Sequence, residues 1–248
     1  SENGFLFRMT TQGFLVGKRQ AKRFTGHKVS VELMQSGIVA KGQLMDFSPM
    51  GYRVRMNSEA LSARKWFNLE APVTIEVRYQ NELFLSATCR FIREEKPNRH
   101  MEVVLEPVNK EFSRYRKRPL RNPRQFLSPR PVLSFFHPLL KKQIRMVASD
   151  ISTSGFSVHE SPHESLLLQG MIIPSLTIEF FGELQLQCSA QVIYRLKEED
   201  GNVRCGITIL DMDVNSYSRL SHILYNALDP HAHVSQMLDL DELWEFLF

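Results

Sequence analysis

The sequence has little of what catalysis, metal binding or membrane insertion requires. Only three of its 248 residues are cysteines, Cys89, Cys188 and Cys205, and their spacing matches no zinc or redox motif. An odd number of widely spaced cysteines favours a reducing compartment over a disulfide framework. No apolar run reaches the roughly 18 residues of a membrane-spanning helix, so we predict no transmembrane segment.

Motifs of nucleotide hydrolysis and of nucleophilic catalysis are also absent. No Gly-x-x-x-x-Gly-Lys, Gly-x-Gly-x-x-Gly or Gly-x-Ser-x-Gly occurs in the sequence. Residues 1–8 lack the basic and then apolar layout of a secretory signal. We therefore expect a cytoplasmic protein that is not an enzyme and that holds no metal or other cofactor.

What the sequence does have is positive charge concentrated in its middle. Residues 1–110 hold 17 Lys and Arg against 11 Asp and Glu, and residues 111–130 hold seven against one. Residues 131–248 reverse the balance, with seven basic against 15 acidic side chains. This pattern indicates either an anionic partner bound near the centre of the chain or a solvated basic linker.

The chain also repeats itself at an offset of 104 residues. Asp46-x-Ser48-x-x-Gly51 recurs as Asp150-x-Ser152-x-x-Gly155. Three further similarities follow in the same order: residues 85–93 with 188–195, 101–105 with 205–209, and 112–115 with 217–220. In this alignment Met101 stands opposite Cys205. Four similar segments in register predict a tandem duplication.

Both copies are predicted to consist mainly of antiparallel strands. Apolar residues alternate with polar ones over 29–33, 73–77, 176–180 and 184–188, which is the period of a half-buried strand. Residues 181–183 and 199–202 have the composition of turns between strands. Short strands without helices between them favour a small barrel or sandwich in each copy.

Each copy is predicted to close with a helix. Val214 to Leu228 places Tyr217, Leu220, Ile223, Leu224 and Ala227 on one face at helical spacing. Residues 109–118 are the equivalent segment of the first copy. A tail over 234–248 has the pattern of a further short amphipathic helix.

A pair of arginines precedes the first Asp-x-Ser-x-x-Gly turn. Arg19 and Arg23 form Arg-x-x-x-Arg, and Asp46 follows Arg23 by 23 residues. In this order the two motifs resemble the PilZ domain, a six-stranded barrel that binds the bacterial second messenger cyclic di-GMP. The resemblance implies two six-stranded antiparallel β-barrels in tandem, each closed by a C-terminal helix. The expected units are domain 1 over 1–113, a basic linker over 114–130, and domain 2 with its helical tail over 131–248.

The resemblance also implies which residues of the first domain bind cyclic di-GMP. They are Arg19, Arg23, Asp46, Ser48 and Gly51, with Lys18 as a weaker candidate. Guanidinium groups donate paired hydrogen bonds to phosphate or to guanine O6 and N7, and they stack on purines. A carboxylate accepts from the N–H groups of a guanine edge. The serine would bind the ligand or cap its own turn, and the glycine would adopt a positive φ or let the ligand approach the backbone.

The arginines of the second domain are left open by the sequence. Asp150, Ser152 and Gly155 are in place and are expected to bind the ligand. The leading arginine pair is Arg114 with Arg118, the only Arg-x-x-x-Arg between the two turns. The offset of the repeat, however, points to the neighbourhood of residues 123 and 127. Two other arginines, Arg121 and Arg124, lie closer to that neighbourhood but lack the spacing of the motif.

The expected function is that of a non-catalytic bacterial receptor for cyclic di-GMP. Binding would order the arginine loop, change the arrangement of the domains and signal to a downstream protein partner in motility or biofilm control. One alternative is a nucleic-acid-binding transcription regulator under cyclic di-GMP control, for which the basic segment would contact phosphates. Another is a degenerate PilZ pair that acts only as a docking module.

Overall fold

Twelve strands and one helix follow one another along the described part of the chain. The computed structural model describes residues 22–57, 65, 67–95, 101–108 and 123–227. The strands of the first half are β1 (Phe24–Gln35), β2 (Ile38–Ser48), β3 (Gly51–Met56), β4 (Val73–Tyr79), β5 (Glu82–Glu95) and β6 (Glu102–Pro107). Those of the second half are β7 (Val132–His137), β8 (Lys142–Ser152), β9 (Gly155–Glu160), β10 (Ile172–Phe180), β11 (Leu184–Lys197) and β12 (Val203–Met212), followed by the helix α1 (Val214–Ala227).

Several sequence predictions fall outside these residues. They are the helix over 109–118, the tail over 234–248, and the site candidates Lys18, Arg19, Arg114, Arg118 and Arg121.

Each half of the chain closes into a six-stranded antiparallel barrel. The strand order is β1-β2-β3-β6-β5-β4 in the first barrel and β7-β8-β9-β12-β11-β10 in the second. The two orders are the same, because β7 takes the place of β1 and each later strand follows in turn. This confirms the predicted fold class of two six-stranded antiparallel barrels.

Local sequence patterns explain why these segments pair as they do. Along β1, Val29, Val31 and Leu33 point into the barrel, while Ser30 and Glu32 alternate with them outside the core. Hairpin turns of two residues with positive φ join β1 to β2 at 36–37 and β4 to β5 at 80–81. Such turns match the right-handed twist of the strands and set their register.

The helix α1 packs the middle of its apolar face on the second barrel. Asp213 accepts a hydrogen bond from the backbone N–H of Ser216 (2.9 Å) and thereby caps the first turn. Leu220, Ile223 and Leu224 are buried as predicted. The predicted face was too long, because Tyr217 at its start and Ala227 at its end are exposed.

Strand register corrects the sequence alignment of the two copies. Arg55 pairs with Glu102, and His159 pairs with Arg204. Arg55 and His159 each lie four residues after the glycine of their turn, so Glu102 is equivalent to Arg204. The alignment of Met101 with Cys205 was therefore wrong by two residues. A slip of two keeps every side chain on its own face of the strand, so the apolar pattern does not reveal it.

The two barrels pack directly against each other and share one hydrophobic core. Phe47 of β2 stacks on His137 of β7, with ring centroids 6.3 Å apart, and Phe84 of β5 contacts the same imidazole at 5.5 Å. The backbone N–H of Ser86 donates a hydrogen bond to the carbonyl of Gly170 (3.4 Å). The first turn motif, of which Phe47 is part, is thus in contact with the second barrel.

Candidate ligand-binding site

In the first barrel, Asp46 is held between two arginines from different segments. The Arg23 guanidinium, which immediately precedes β1, donates from Nη1 to Asp46 Oδ1. Arg53 of β3 lies directly opposite Asp46 in the strand register and donates from Nε to Oδ2 (2.6 Å). The Asp46 side chain is 15% exposed, whereas those of Arg23 and Arg53 are 28% and 38% exposed. The arginines therefore form the outer, solvent-facing part of this first cluster.

A second carboxylate extends the first cluster along β3. Glu102, which is only 2% exposed, accepts from Arg55 Nε (3.0 Å) and Nη2 (2.8 Å). Its other oxygen accepts from Arg53 Nη1 at 3.4 Å. A carboxylate buried this deeply requires cationic partners, since an unpaired one would be strongly destabilising. Glu102 consequently restrains Arg53 and Arg55 on the barrel surface.

In the second barrel, Asp150 is also held between two arginines, which with Ser157 form the second cluster. Arg124 Nη1 donates to Asp150 Oδ1 (2.5 Å), and Arg204 Nη2 donates to Oδ2. Ser157, which takes the register position of Arg53, donates from Oγ to the same Oδ2 (2.7 Å). Burial by itself raises the pKa of Asp150, but the Ser157 hydrogen bond and the two guanidinium groups outweigh it and hold the pKa below its usual range.

An isolated antiparallel bridge holds the segment of Arg124 at this turn. The backbone N–H and C=O of Gln125 bond the C=O and N–H of Ile151, at 2.8 and 3.0 Å. The Gln125 side chain donates from Nε2 to the carbonyl of Leu224, near the end of α1 (2.7 Å). Residue 124 thus lies next to the position expected from the repeat offset, although the spacing of its neighbours does not fit the motif.

The two motif serines cap their own turns. Ser48 Oγ accepts from the backbone N–H of Met50 (3.2 Å), and Ser152 Oγ accepts from that of Ser154 (3.4 Å). Ser152 also donates to the carbonyl of Gly155 (3.1 Å). Both hydroxyl groups are buried and hold the turn closed after the aspartate.

The two motif glycines do not adopt a positive φ, so that alternative was wrong. A Cβ on Gly51 would lie 2.8 Å from the carbonyl oxygen of Leu105, and one on Gly155 would lie 2.3 Å from that of Ile207. These oxygens belong to the neighbouring strands β6 and β12. The glycines are required because the backbone of the adjacent strand passes too close for any side chain.

Sequence reasoning missed five residues of the two clusters: Arg53, Arg55, Glu102, Ser157 and Arg204. Arg53 could have been predicted from the sequence, since it lies two residues beyond the turn glycine on a short strand next to the aspartate. Arg204 could not, because it lies 54 residues from Asp150 and meets it only through strand pairing.

A sequence model of the PilZ domain matches residues 119–226. The second barrel is a PilZ domain. The first barrel has the same strand order and the same Asp-x-Ser-x-x-Gly turn.

Several solved structures are similar to about four fifths of the chain, at low sequence identity. YcgR from Escherichia coli in complex with c-di-GMP is 14% identical, with a TM-score of 0.38 over 80% of this chain and 83% of that one. The K. pneumonia MrkH–c-di-GMP complex is 10% identical, with a TM-score of 0.39 over 82% and 88%. The Bacillus subtilis Inhibitor of motility (MotI/DgrA) is 15% identical, with a TM-score of 0.39 over 82% and 97%. No curated protein matches the chain.

The described part of the chain was also searched for reactive thiols, metal sites and membrane-spanning helices. Cys89, Cys188 and Cys205 are free and buried, and burial raises the pKa of each thiol to about 12. These thiols are therefore protonated and unreactive at neutral pH. Among the described residues, no cluster of three His, Cys, Asp or Glu could hold a metal ion. Within the same residues, no helix is both long and apolar enough to cross a membrane.

Proposed function

We propose that this protein is a receptor for cyclic di-GMP, with one binding site at each Asp-x-Ser-x-x-Gly turn. The observation that carries the proposal is the pair of clusters in which a turn aspartate is flanked by two partly exposed arginines. The match of the second barrel to the PilZ domain supports the choice of ligand.

Ligand binding would exchange ion pairs at each turn. The phosphates of cyclic di-GMP attract the guanidinium groups that the aspartate holds, and the N–H groups of a guanine edge replace them on the carboxylate. Arg23 and Arg124 precede their barrels in the chain and are the arginines best placed to move with the ligand. Arg19 and Lys18 would extend the first site.

In the second site, Arg124 and Arg204 are the arginines that we assign to the ligand. They already touch Asp150, which no other described arginine does. Arg114, Arg118 and Arg121 precede them in the basic segment and would add contacts. The same segment is the proposed linker, over 114–130 between units 1–113 and 131–248.

The proposed output is a change in how the two barrels contact each other, read by a protein partner in motility or biofilm control. Phe47 supports this, since it belongs to the ligand turn of the first barrel and stacks on His137 of the second. In this role the protein is a non-catalytic cytoplasmic receptor whose only small-molecule ligand is the second messenger.

The alternative of a transcription regulator under cyclic di-GMP control is supported by the charge of residues 111–130. DNA bound through phosphate contacts would be released steeply as salt is raised. An electrophoretic shift at several salt concentrations, with and without cyclic di-GMP, tests this function separately from ligand binding. A protein that acts only as a docking module would bind neither DNA nor cyclic di-GMP.

Calorimetry with cyclic di-GMP tests the proposal. R23A should weaken the first site by roughly 30-fold or more, since loss of a buried Arg–phosphate contact costs about 2 kcal/mol or more. The D150A/S152A double variant should remove the second site and lower the stoichiometry. R145A is the matched control, because Arg145 pairs with Glu179 on an exposed surface outside both clusters. Wild-type protein that binds no cyclic di-GMP would refute the function, and unchanged binding by R23A would refute the assignment of the first site.

A further inference from the structure

One aromatic ring lies unusually exposed beside the second cluster. Phe126 is 80% exposed, the largest exposure of any phenylalanine in the described residues; Phe136 and Phe181 follow at 50% and 38%. A ring left in water forgoes the stabilisation of about 1.5–3 kcal/mol that burial of a Phe side chain brings. Phe126 follows Arg124 by two residues, within the segment that holds the arginine at the turn.

An isolated antiparallel bridge brings Phe126 to the side of the motif aspartate. Gln125 bridges Ile151, so the chain runs on from Gln125 to Phe126 in the direction in which β8 runs back from Ile151 to Asp150. Side chains alternate along an extended segment, and that of Gln125 is directed to Leu224 of α1. Arg124 and Phe126 therefore share the other face, on which Arg124 reaches Asp150.

We propose that Phe126 is a stacking platform for a guanine base of the ligand at the second site. This inference rests on the function proposed above. The face of an aromatic ring binds the flat face of a purine, while the adjacent guanidinium binds phosphate and the carboxylate accepts from the base edge. Arg124, Asp150 and Phe126 supply these three groups side by side on one face of the turn.

The equivalent position of the first site has no aromatic ring. Thr25 pairs with Asp46 in the register of β1 and β2, and it follows Arg23 by two residues as Phe126 follows Arg124. A threonine offers no π face to a base. At this position the two sites are consequently unequal.

The experiment measures how substitutions of Phe126 change the affinity of the second site for cyclic di-GMP, in the chain with both barrels. In an R23A background, which weakens the first site, calorimetry should show that F126A lowers the affinity for cyclic di-GMP about tenfold or more. F126W should retain the affinity, and the emission of the introduced indole should change as guanine stacks on it. F181A is the control, because Phe181 is an exposed phenylalanine at the β10–β11 turn. In the wild-type background, T25F should tighten the first site.

Two results would overturn the inference alone: binding of cyclic di-GMP by F126A as tight as that of its parent, or F126W binding without a change in indole emission. Failure of the wild-type chain to bind cyclic di-GMP would overturn the proposed function and this inference with it. Because Phe126 is exposed, circular dichroism should show the same melting temperature for F126A and its parent, which assigns any loss of affinity to the contact itself.

Discussion

At the scale of single residues, the two barrels hold their turn aspartate with different side chains. In the first, the second guanidinium comes from Arg53, directly opposite Asp46 on β3. In the second, that register position is Ser157, and the guanidinium comes from Arg204 on β12. The position of Arg204 is occupied by Glu102 in the first barrel, so the second guanidinium stands on β3 in the first barrel and on β12, the equivalent of β6, in the second.

We therefore expect that the arrangement of Ser157 and Arg204 can be introduced into the first barrel. R53S should lower the free energy of unfolding by about 1–2 kcal/mol, because Asp46 and the buried Glu102 each lose a charged partner. E102R should also destabilise, since it places a third guanidinium beside those of Arg53 and Arg55. The R53S/E102R double variant should recover most of the loss, because an arginine on β6 can reach Asp46 as Arg204 reaches Asp150.

Urea unfolding of the four proteins gives the coupling free energy, which should be favourable by at least about 1 kcal/mol. Purely additive losses would contradict the equivalence of Glu102 and Arg204.

At the scale of elements, glycines with the same backbone conformation have different roles in this fold: some form hairpin turns, and one permits a contact between the barrels. Gly182 and Gly201 have φ of +79° and +86° and lie in hairpin turns with open space around them. Gly170 has φ of +83°, but a Cβ there would lie 2.1 Å from the backbone oxygen of Ser86 in the other barrel. Gly170 is thus the point at which the loop before β10 meets β5, and the absence of a side chain permits that contact.

Replacing these glycines should separate the two effects. G182A should lose roughly 1 kcal/mol of stability, the cost of placing an ordinary residue at positive φ. G170A should lose about 1–3 kcal/mol beyond that, because backbone atoms would have to move apart. Chemical denaturation measures both changes. Equal losses in the two variants would show that the barrel–barrel contact at Gly170 contributes nothing to stability.

At the scale of the whole molecule, a neutral histidine lies in the core that the barrels share. His137 is fully buried among Phe47, Phe84 and Phe135. Its Nδ1 accepts from the backbone N–H of Leu140 and its Nε2 is 3.3 Å from the carbonyl of Leu166, which defines the neutral Nε2–H tautomer. Burial, assisted by the charge of Lys142, lowers the pKa of His137 to about 4, against the hydrogen bond to Leu166, which raises it.

The resulting pH dependence has a definite sign. The unfolded chain binds a proton at this side chain below about pH 6.5, whereas the folded protein binds one only below about pH 4. The contribution of His137 to stability is therefore complete above pH 6.5 and declines as the pH falls towards 4, by about 3 kcal/mol in total. Urea unfolding from pH 7.5 to 4.5 should show this decline.

H137Q is the control for that decline. Its amide can accept and donate hydrogen bonds but does not titrate, so the variant should be less stable at neutral pH yet lose less stability on acidification. Parallel stability curves for wild type and H137Q would mean that protonation of His137 does not weaken the contact between the barrels.

Sequence alone determined the features that depend on local pattern. Alternating apolar residues predicted the strands, turn residues predicted the hairpins, and the repeated Asp-x-Ser-x-x-Gly predicted two similar domains with an aspartate at each turn. These features can be predicted from the sequence because side-chain periodicity and turn geometry depend on residues that are close together in the chain. Arg23 was predicted as a ligand residue for the same reason, since the Arg-x-x-x-Arg motif includes it.

Tertiary structure decided which partners those aspartates meet. Arg204 reaches Asp150 from another strand of the barrel, and Arg124 reaches it next to the bridge between Gln125 and Ile151. A register error of two residues, as between Met101 and Cys205, leaves the apolar faces unchanged and so has no signature in the sequence. Side chains distant in the chain become neighbours through the pairing of backbones, and in both barrels this pairing places the second guanidinium on the aspartate.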